Sequence, residues 1–482
     1  MKEKTRAVLE VFEEISRIPR CSKNEEAIGS WLMRRAEDRG FQGKRDKAGN
    51  IVVRVPATSG YENRPPVVLQ GHLDMVCQKT PDSNHDFTKD PIQLIYDGEW
   101  LTAEKTSLGA DNGIGLALGL ALATDDDVER PPLELLFTVD EETGLTGANL
   151  LEPGFVEGRI LLNLDSESEG VFIVGCAGGQ HTEVTLPLSF LPLPENYDAW
   201  KLRAQGMRGG HSGIDIHKFR ANAIKVLARA LDAARGESDI SIVTVKGGSA
   251  HNAIARDAEA LVVCDPKWGS TLQSTIAAFE RAVQEEYAAT EQSLAVHLSR
   301  EDMGDRTVSL SRECTDTVIN LILAMPHGVS EMSTKVEGHV ETSNNFAIIE
   351  TKNKELHILS SQRSSVMSRL SAITAQIEAA AALAGARAET GGGYPAWQPD
   401  MNSPLLKRCK EVYQRLFGKE PIVEVIHAGL ECGIIGSKHE GMDAISVGPT
   451  LENPHSPDER LYIPSVGKVW DFLAELLKSY GA

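Results

Sequence analysis

The sequence predicts an α/β domain assembled from both ends of the chain and interrupted by an inserted α+β domain of two similar halves. Three observations lead there. Short apolar runs alternate with helical patterns up to residue 180, the same texture resumes after 392, and the stretch between repeats one strand–helix order twice. A chain of 482 residues is too long for one ordinary core. Its 41% hydrophobic content, with charges spread along the whole length, is that of a compact globular protein.

The first element is an amphipathic helix. Val8, Phe12 and Ile15 recur at helical spacing, and Glu3, Arg6, Glu10, Glu13 and Glu14 interrupt any signal-peptide pattern. Ser22 and Glu25 have the spacing of a capping box ahead of a helix through Trp31 and Leu32. Strands are expected at 51–55, 67–69, 133–139 and 160–164, with a helix over 112–123. Strands separated by helices imply a largely parallel sheet. Past the Cys176–Gln180 string (CAGGQ) the texture changes. The first round of the insertion has strands at 184–188 and 200–204, a helix at 219–234, strands at 240–245 and 258–264, and a helix at 271–287. The second has a strand at 295–299, a helix at 314–324, strands at 346–350 and 355–361, and an Ala-rich helix at 366–385. The run Gly391-Gly392-Gly393 reads as a return hinge, with a matching one near Gln180. A helix at 405–417 and strands at 422–426 and 444–447 resume the first style. The expected division is 1–180 with 393–482, and 181–392.

A net charge of -20 excludes nucleic acid and anionic membrane as partners, since both need a basic surface. The most apolar stretch, 114–123, is far short of the roughly 20 residues a spanning helix needs. The seven cysteines are odd in number and dispersed, and no C-x-x-C pair occurs. Neither a disulfide framework nor a thiolate metal site is expected, and the chain reads as cytoplasmic.

Five strings place chemistry at strand ends or a helix entrance, where ligand crevices form in open α/β sheets. They are Gly71-His72-Leu73-Asp74, Leu108-Gly109-Ala110-Asp111-Asn112-Gly113-Ile114-Gly115, Asp140-Glu141-Glu142-Thr143-Gly144, Asn163-Leu164-Asp165-Ser166-Glu167 and Asn453-Pro454-His455-Ser456-Pro457-Asp458-Glu459-Arg460. Each alone has an ordinary structural explanation: a strand-end histidine, a helix cap, a solvated charged turn. Jointly, His72, Asp111, Glu142, Asp165 and His455 supply two imidazoles and three carboxylates. That set suits two zinc-type ions about 3.5–4 Å apart, with one aspartate bridging. The absence of cysteine fits a catalytic site with open positions.

The strings H-L-D, G-A-D-N-G-I-G, E-E-T-G, N-L-D-S-E and N-P-H-S-P, in this order, resemble the di-zinc exopeptidase superfamily of carboxypeptidase G, tripeptidase and carnosinase-type enzymes. Gly206-Met207-Arg208-Gly209-Gly210-His211-Ser212-Gly213, Thr342-Ser343-Asn344-Asn345 and His427-Ala428-Gly429-Leu430-Glu431-Cys432-Gly433 extend the resemblance along the chain. It departs mildly at Glu104-Lys105-Thr106-Ser107. The resemblance implies a mixed-sheet catalytic domain with an inserted lid and dimerisation domain. It implies two Zn2+ per chain, with Co2+ or Mn2+ as substitutes, and hydrolysis of small dipeptides, preferentially Xaa-His. By it, Asp111 bridges, His72 and Asp165 hold one metal, and Glu142 and His455 hold the other. Glu141 would be the general base, and Asp74 would orient His72. His211 would donate to the oxyanion, and Asn252 and Arg363 would bind the substrate's C-terminal carboxylate. A cis peptide after Asp111 and a homodimer are also implied. The competing functions are a broader di- or tripeptidase, an N-acyl amino acid deacylase, and a metal-binding protein without catalysis.

Overall fold

The computed structural model describes residues 2–481, which divide into two compact units. One runs to Cys176 and takes in Trp397–Val425 and the chain from Leu430 onward; the other is Ala177–Ala396 with Ile426–Gly429. The changeover lies a few residues outside the 181–392 expected for the insertion. The reason is pairing: strand Gly178–Pro187 runs alongside Glu355–Ser364 over its whole length, so residues 178–180 go with the insertion.

The first unit is built on an eight-stranded sheet. Its strand order is Gln42–Arg45, Ile51–Val55, Leu133–Thr138, Val67–His72, Ile160–Asn163, Asp443–Ser446, Val171–Cys176, Ile422–Ile426. The four strands from Leu133–Thr138 to Asp443–Ser446 are mutually parallel, whereas Ile51–Val55 and Val171–Cys176 pair antiparallel to them. The sheet is therefore mixed. Central strands buried on both faces show as apolar runs, which is why VVL and LLF were legible without alternation. Helix Ala110–Thr124 is buried along nearly its whole length and packs against helix Glu3–Ser16, whose Val8, Phe12 and Ile15 are all buried.

Two local expectations fail here. Ser22 and Glu25 do not form a capping box: helix Glu26–Asp38 begins without a side-chain cap. The Ser22 hydroxyl donates to Asp74 Oδ2 instead (2.8 Å), and Glu25 Oε1 accepts the N–H groups of Lys23 and Asp140, both at 2.9 Å. Both side chains are spent on the turns that carry the candidate site. The cysteine expectation also needs correcting, because Cys21 and Cys77 form a disulfide. Residues 21 and 75 meet in an isolated bridge, which brings two cysteines 56 positions apart within bonding reach. Count and spacing could not show that.

The second unit is a nine-stranded sheet, antiparallel at each of its pairings, with helices Ala223–Glu237, Gly269–Glu286, Arg312–Ala324 and Met367–Leu383 packed on it. Its two halves join through a short pairing, Lys246 with Glu350 and Gly247 with Ile349. The first helix starts at Ala223 rather than 219. Phe219 is left-handed (φ 51°) and exposed, while the Asn222 side chain caps the helix by accepting from the N–H groups of Ile224 and Lys225. The glycine run at 391–393 lies in strand Arg387–Tyr394, where pairing to Gly178–Pro187 is interrupted between Gly391 and Tyr394. Among the described residues no helix is long and apolar enough to cross a membrane.

His327 lies at the Asn222 cap, 3.3 Å from both the Asn222 amide and the Phe346 N–H. Burial, with the Lys225 charge adding, lowers its pKa to about 3. An unfolded histidine takes its proton near pH 6.5. The stability from the neutral ring is therefore complete above that pH and is lost as pH falls toward 3, by at most about 1.4 kcal/mol per unit. Urea denaturation at pH 7 and pH 5 should show the wild type losing more stability on acidification than His327→Asn. Equal losses would mean the ring protonates in the folded state.

Candidate metal centre

The parallel strands bring their carboxyl ends side by side, and the sequence places acids and a histidine there. His72 ends its strand, Glu141 and Glu142 follow Leu133–Thr138, and Asp165 follows Ile160–Asn163. Asp111 sits at the entrance of helix Ala110–Thr124, where Asp111 and Asn112 depart from helical dihedrals and share a cis peptide bond. The Asn112 amide donates to the carbonyl of Leu164 (2.8 Å), tying the helix entrance to the turn that carries Asp165. Gly115 permits this approach: a Cβ there would lie 2.5 Å from the Leu164 carbonyl oxygen.

Asp111 is the centre of the constellation. Its Oδ1 lies 3.0 Å from His72 Nε2, and its Oδ2 lies 3.0 Å from His455 Nε2. Asp165 Oδ1 approaches His72 Nε2 at 3.3 Å, and Glu142 Oε2 approaches His455 Nε2 at 3.1 Å. The contacts thus fall into two triads, His72–Asp111–Asp165 and Asp111–Glu142–His455, sharing one carboxylate. His455 is 50% exposed while His72 is 1% exposed, so one triad faces the open side and the other lies deep.

Asp74 organises the deep side. Its Oδ1 is 3.3 Å from His72 Nδ1 and also accepts the Glu141 N–H (3.0 Å), while Oδ2 accepts the Glu142 N–H (3.2 Å). Burial works to raise its pKa, but His72 and these donors hold it down at about 2. Such a carboxylate fixes the imidazole tautomer, leaving Nε2 to face the centre.

Negative charge is in excess. Burial, opposed by His72, raises Asp165 to about 6, and burial together with Asp111 and Asp165 raises Glu167 to about 8. Burial pushes Glu141 well up. Glu431, fully buried and accepting from Gln70 (2.6 Å) and Thr138 (2.7 Å), goes up to about 7 through burial. His455 moves up to about 11 because Asp111 and Glu142 hydrogen-bond to it. Meanwhile Glu142 Oε1 is buried without a hydrogen-bond partner. Oxygen and nitrogen donors converging in two triads, with an orphaned oxygen on Glu142, fit a pair of divalent cations.

The other candidates belong to the second unit. His211 Nδ1 accepts the N–H groups of Gly213 (3.2 Å) and Ile214 (3.1 Å), which leaves the proton of the neutral ring on Nε2. Asn252 lies in an exposed turn, and its carbonyl accepts the Ser212 N–H (2.8 Å). Arg363 pairs in register with Ser343 and Gly179 on the adjacent strands; its Nη1 donates to the Tyr394 hydroxyl (2.8 Å), and its Nε is buried without a hydrogen-bond partner. Burial first, then the Arg363 charge, lowers the pKa of His251 and, to about 3, that of His427.

Several residues serving the site carried no signal for that role. Arg20, Ser22, Glu25, Glu431 and Glu459 are spread over the whole sequence, and each acts on a backbone turn or a neighbouring side chain. Glu431 and Glu459 fall inside strings already singled out, Ser22 and Glu25 have the spacing of a capping box, and Arg20 stands out in no way.

Compared with known proteins, the chain is 42% identical over 473 residues to the cytosol non-specific dipeptidase of Escherichia coli K12, covering 98% of this chain and 97% of that one. The chain belongs to this dipeptidase family. A solved family structure, the aminoacylhistidine dipeptidase from Vibrio alginolyticus, superposes with a TM-score of 0.88 at 39% identity, covering 98% of this chain and 96% of that one. A family model described as a peptidase dimerisation domain matches residues 202–291. A tripeptidase of Staphylococcus aureus shares the fold at 18% identity and a TM-score of 0.57, covering 99% of this chain and 98% of that one.

Proposed function

We propose that this dipeptidase-family hydrolase cleaves dipeptides at a centre holding two divalent ions, Zn2+ with Co2+ or Mn2+ as substitutes, and prefers Xaa-His substrates of the carnosine type. One observation carries it: the two oxygens of Asp111 each meet a different imidazole at 3.0 Å, and a further carboxylate completes each triad. His72, Asp111 and Asp165 would hold one ion, and Asp111, Glu142 and His455 the other. Bound there, the ions supply Lewis acidity that acidifies water and polarises the scissile carbonyl.

The remaining steps fall to side chains of the chain. Glu141 takes the proton of the attacking water and returns it to the leaving amine. Asp74 keeps His72 oriented. His211 donates from Nε2 to the oxyanion, an effect worth about 3 kcal/mol for one donor. Arg363 grips the C-terminal carboxylate with its planar fork, assisted by Asn252. Holding the carboxylate restricts cleavage to the last peptide bond of a short substrate.

The names of the two relatives differ in breadth, non-specific against aminoacylhistidine, so a substrate panel is the direct test. Hydrolysis of carnosine-like and Xaa-His dipeptides should exceed that of other dipeptides, and an N-acetylated amino acid should be inert. Dialysis against a chelator should abolish activity, and two equivalents of Zn2+ per chain should restore it. Activity that survives verified metal removal would overturn the two-ion reading. The dimerisation-domain match supports a homodimer, and the cytosol enzyme of E. coli supports the cytoplasm as its compartment.

A further inference from the structure

We propose that Glu459 is a positioning residue for the metal centre: it holds the Asp111 loop in place through the backbone and locks it to the loop of His455. The proposal rests on the two-ion reading above. Glu459 is 2% exposed, and its carboxylate accepts four successive backbone N–H groups. Oε2 takes those of Leu108 (2.7 Å) and Gly109 (2.9 Å); Oε1 takes those of Ala110 (2.8 Å) and Asp111 (3.2 Å).

These donors lie at a helix entrance, where the first N–H groups have no partner within the helix. A local cap side chain ordinarily accepts from one or two of them. Here no local side chain caps the helix, and an acid about 350 positions away accepts from four consecutive groups ending at Asp111 itself. Glu459 also lies four residues beyond His455 on the same loop. It therefore couples, through rigid peptide groups, the imidazole and the carboxylate that meet at 3.0 Å in the more exposed triad.

Arg20 grips the same loop from the other side. It is fully buried, and its Nη1 donates to the carbonyls of Leu73 (3.0 Å) and Asp74 (2.8 Å), while Nη2 donates to the carbonyl of Gly109. Residue 109 is thus held at its N–H by Glu459 and at its C=O by Arg20. Arg20 extends the fixed geometry to the turn after His72. Gly109 leaves room for this: a Cβ there would sit 2.7 Å from Arg20 Nη2. Burial works against the Arg20 charge, and Glu459 is foremost among the carboxylates that sustain it.

Glu459→Gln keeps the size but sets an amide NH2 against backbone N–H donors, so the loop must shift. The test is a competition titration with a chromophoric zinc chelator, run on the full-length protein with folding verified by circular dichroism. The wild type should bind two ions, and Glu459→Gln should bind the weaker one about 10–100-fold less tightly. Hydrolysis by the variant should recover at high Zn2+. Asp458→Asn, in the same loop, should match the wild type. Should Glu459→Gln not fold, Glu459→Asp keeps the charge one methylene short, and the same loss of affinity is expected. A wild type that fails to bind two ions would defeat the two-ion reading itself. A wild type with two ions beside a folded variant that binds both as tightly would overturn the positioning role, leaving Glu459 only a contribution to thermal stability.

Discussion

Glu141→Gln should lower dipeptide hydrolysis by about 10²–10⁴-fold while the protein keeps its metal. Glu141 lies at the end of a parallel strand, and its N–H is fixed on Asp74. Its carboxylate is within ligand range of His72 and Glu142, yet it makes none of the four close contacts that define the triads. The proposed role is therefore that of a proton carrier beside the centre, and the variant tests it against coordination, since Glu141 also falls in a candidate ligand group with His72 and Glu142. Burial already favours its protonated form, opposed by His72 and reinforced by Asp165, Glu142 and Glu431. Glutamine keeps the volume and removes the proton affinity. The comparison requires kcat/KM and elemental analysis on the same preparation. Near-normal turnover would dismiss Glu141 as base, and loss of metal with the activity would make it a ligand instead.

Asp111→Ala is expected to empty the centre. Catalytic zinc sites keep three protein ligands. Without Asp111 each triad retains one histidine and one carboxylate, His72 with Asp165 and His455 with Glu142. Affinity for both ions should fall by more than about 100-fold, and activity with it. Metal content after gel filtration, expected to drop from two ions per chain to below one, is the measurement. A variant that retains two ions and hydrolyses normally would refute the bridging role. The contrast with Glu141→Gln is the informative part, since one substitution should separate chemistry from metal and the other should remove both.

The five proposed ligands were readable because the fold exposes them in a regular way. His72, Glu142 and Asp165 end or follow parallel strands and Asp111 opens an apolar helix, positions a parallel sheet leaves uncovered, whereas His455 lies in the turn between Leu451–Glu452 and Arg460–Tyr462 of a separate small sheet. Buried strands such as Leu133–Thr138 announce themselves by composition, so the acids immediately after them stand out. Ser22 and Glu25 show the limit of that approach. Their spacing matches a capping box, but the local hydrogen bonds lose to longer-range ones made to Asp74 and to the Asp140 N–H. The glycine run 391–393 has the composition of a hinge, and only tertiary pairing shows that Gly391 sits opposite His181 before the register breaks up to Tyr394.

Local pattern was sufficient for the residues that converge in the two triads, for the strand end or helix entrance that presents all of them but His455, and for the insertion between the two ends of the chain. It could not reveal which side chains hold those turns still. Glu459 reaches Leu108 across 351 positions, Glu431 reaches Gln70 across 361, and Cys21 meets Cys77 across 56. Periodicity reports how one segment divides between core and solvent, an energy decided within a few residues. A backbone N–H or a buried carboxylate takes whatever partner the order of the strands sets beside it, and that order exists only once the chain has folded.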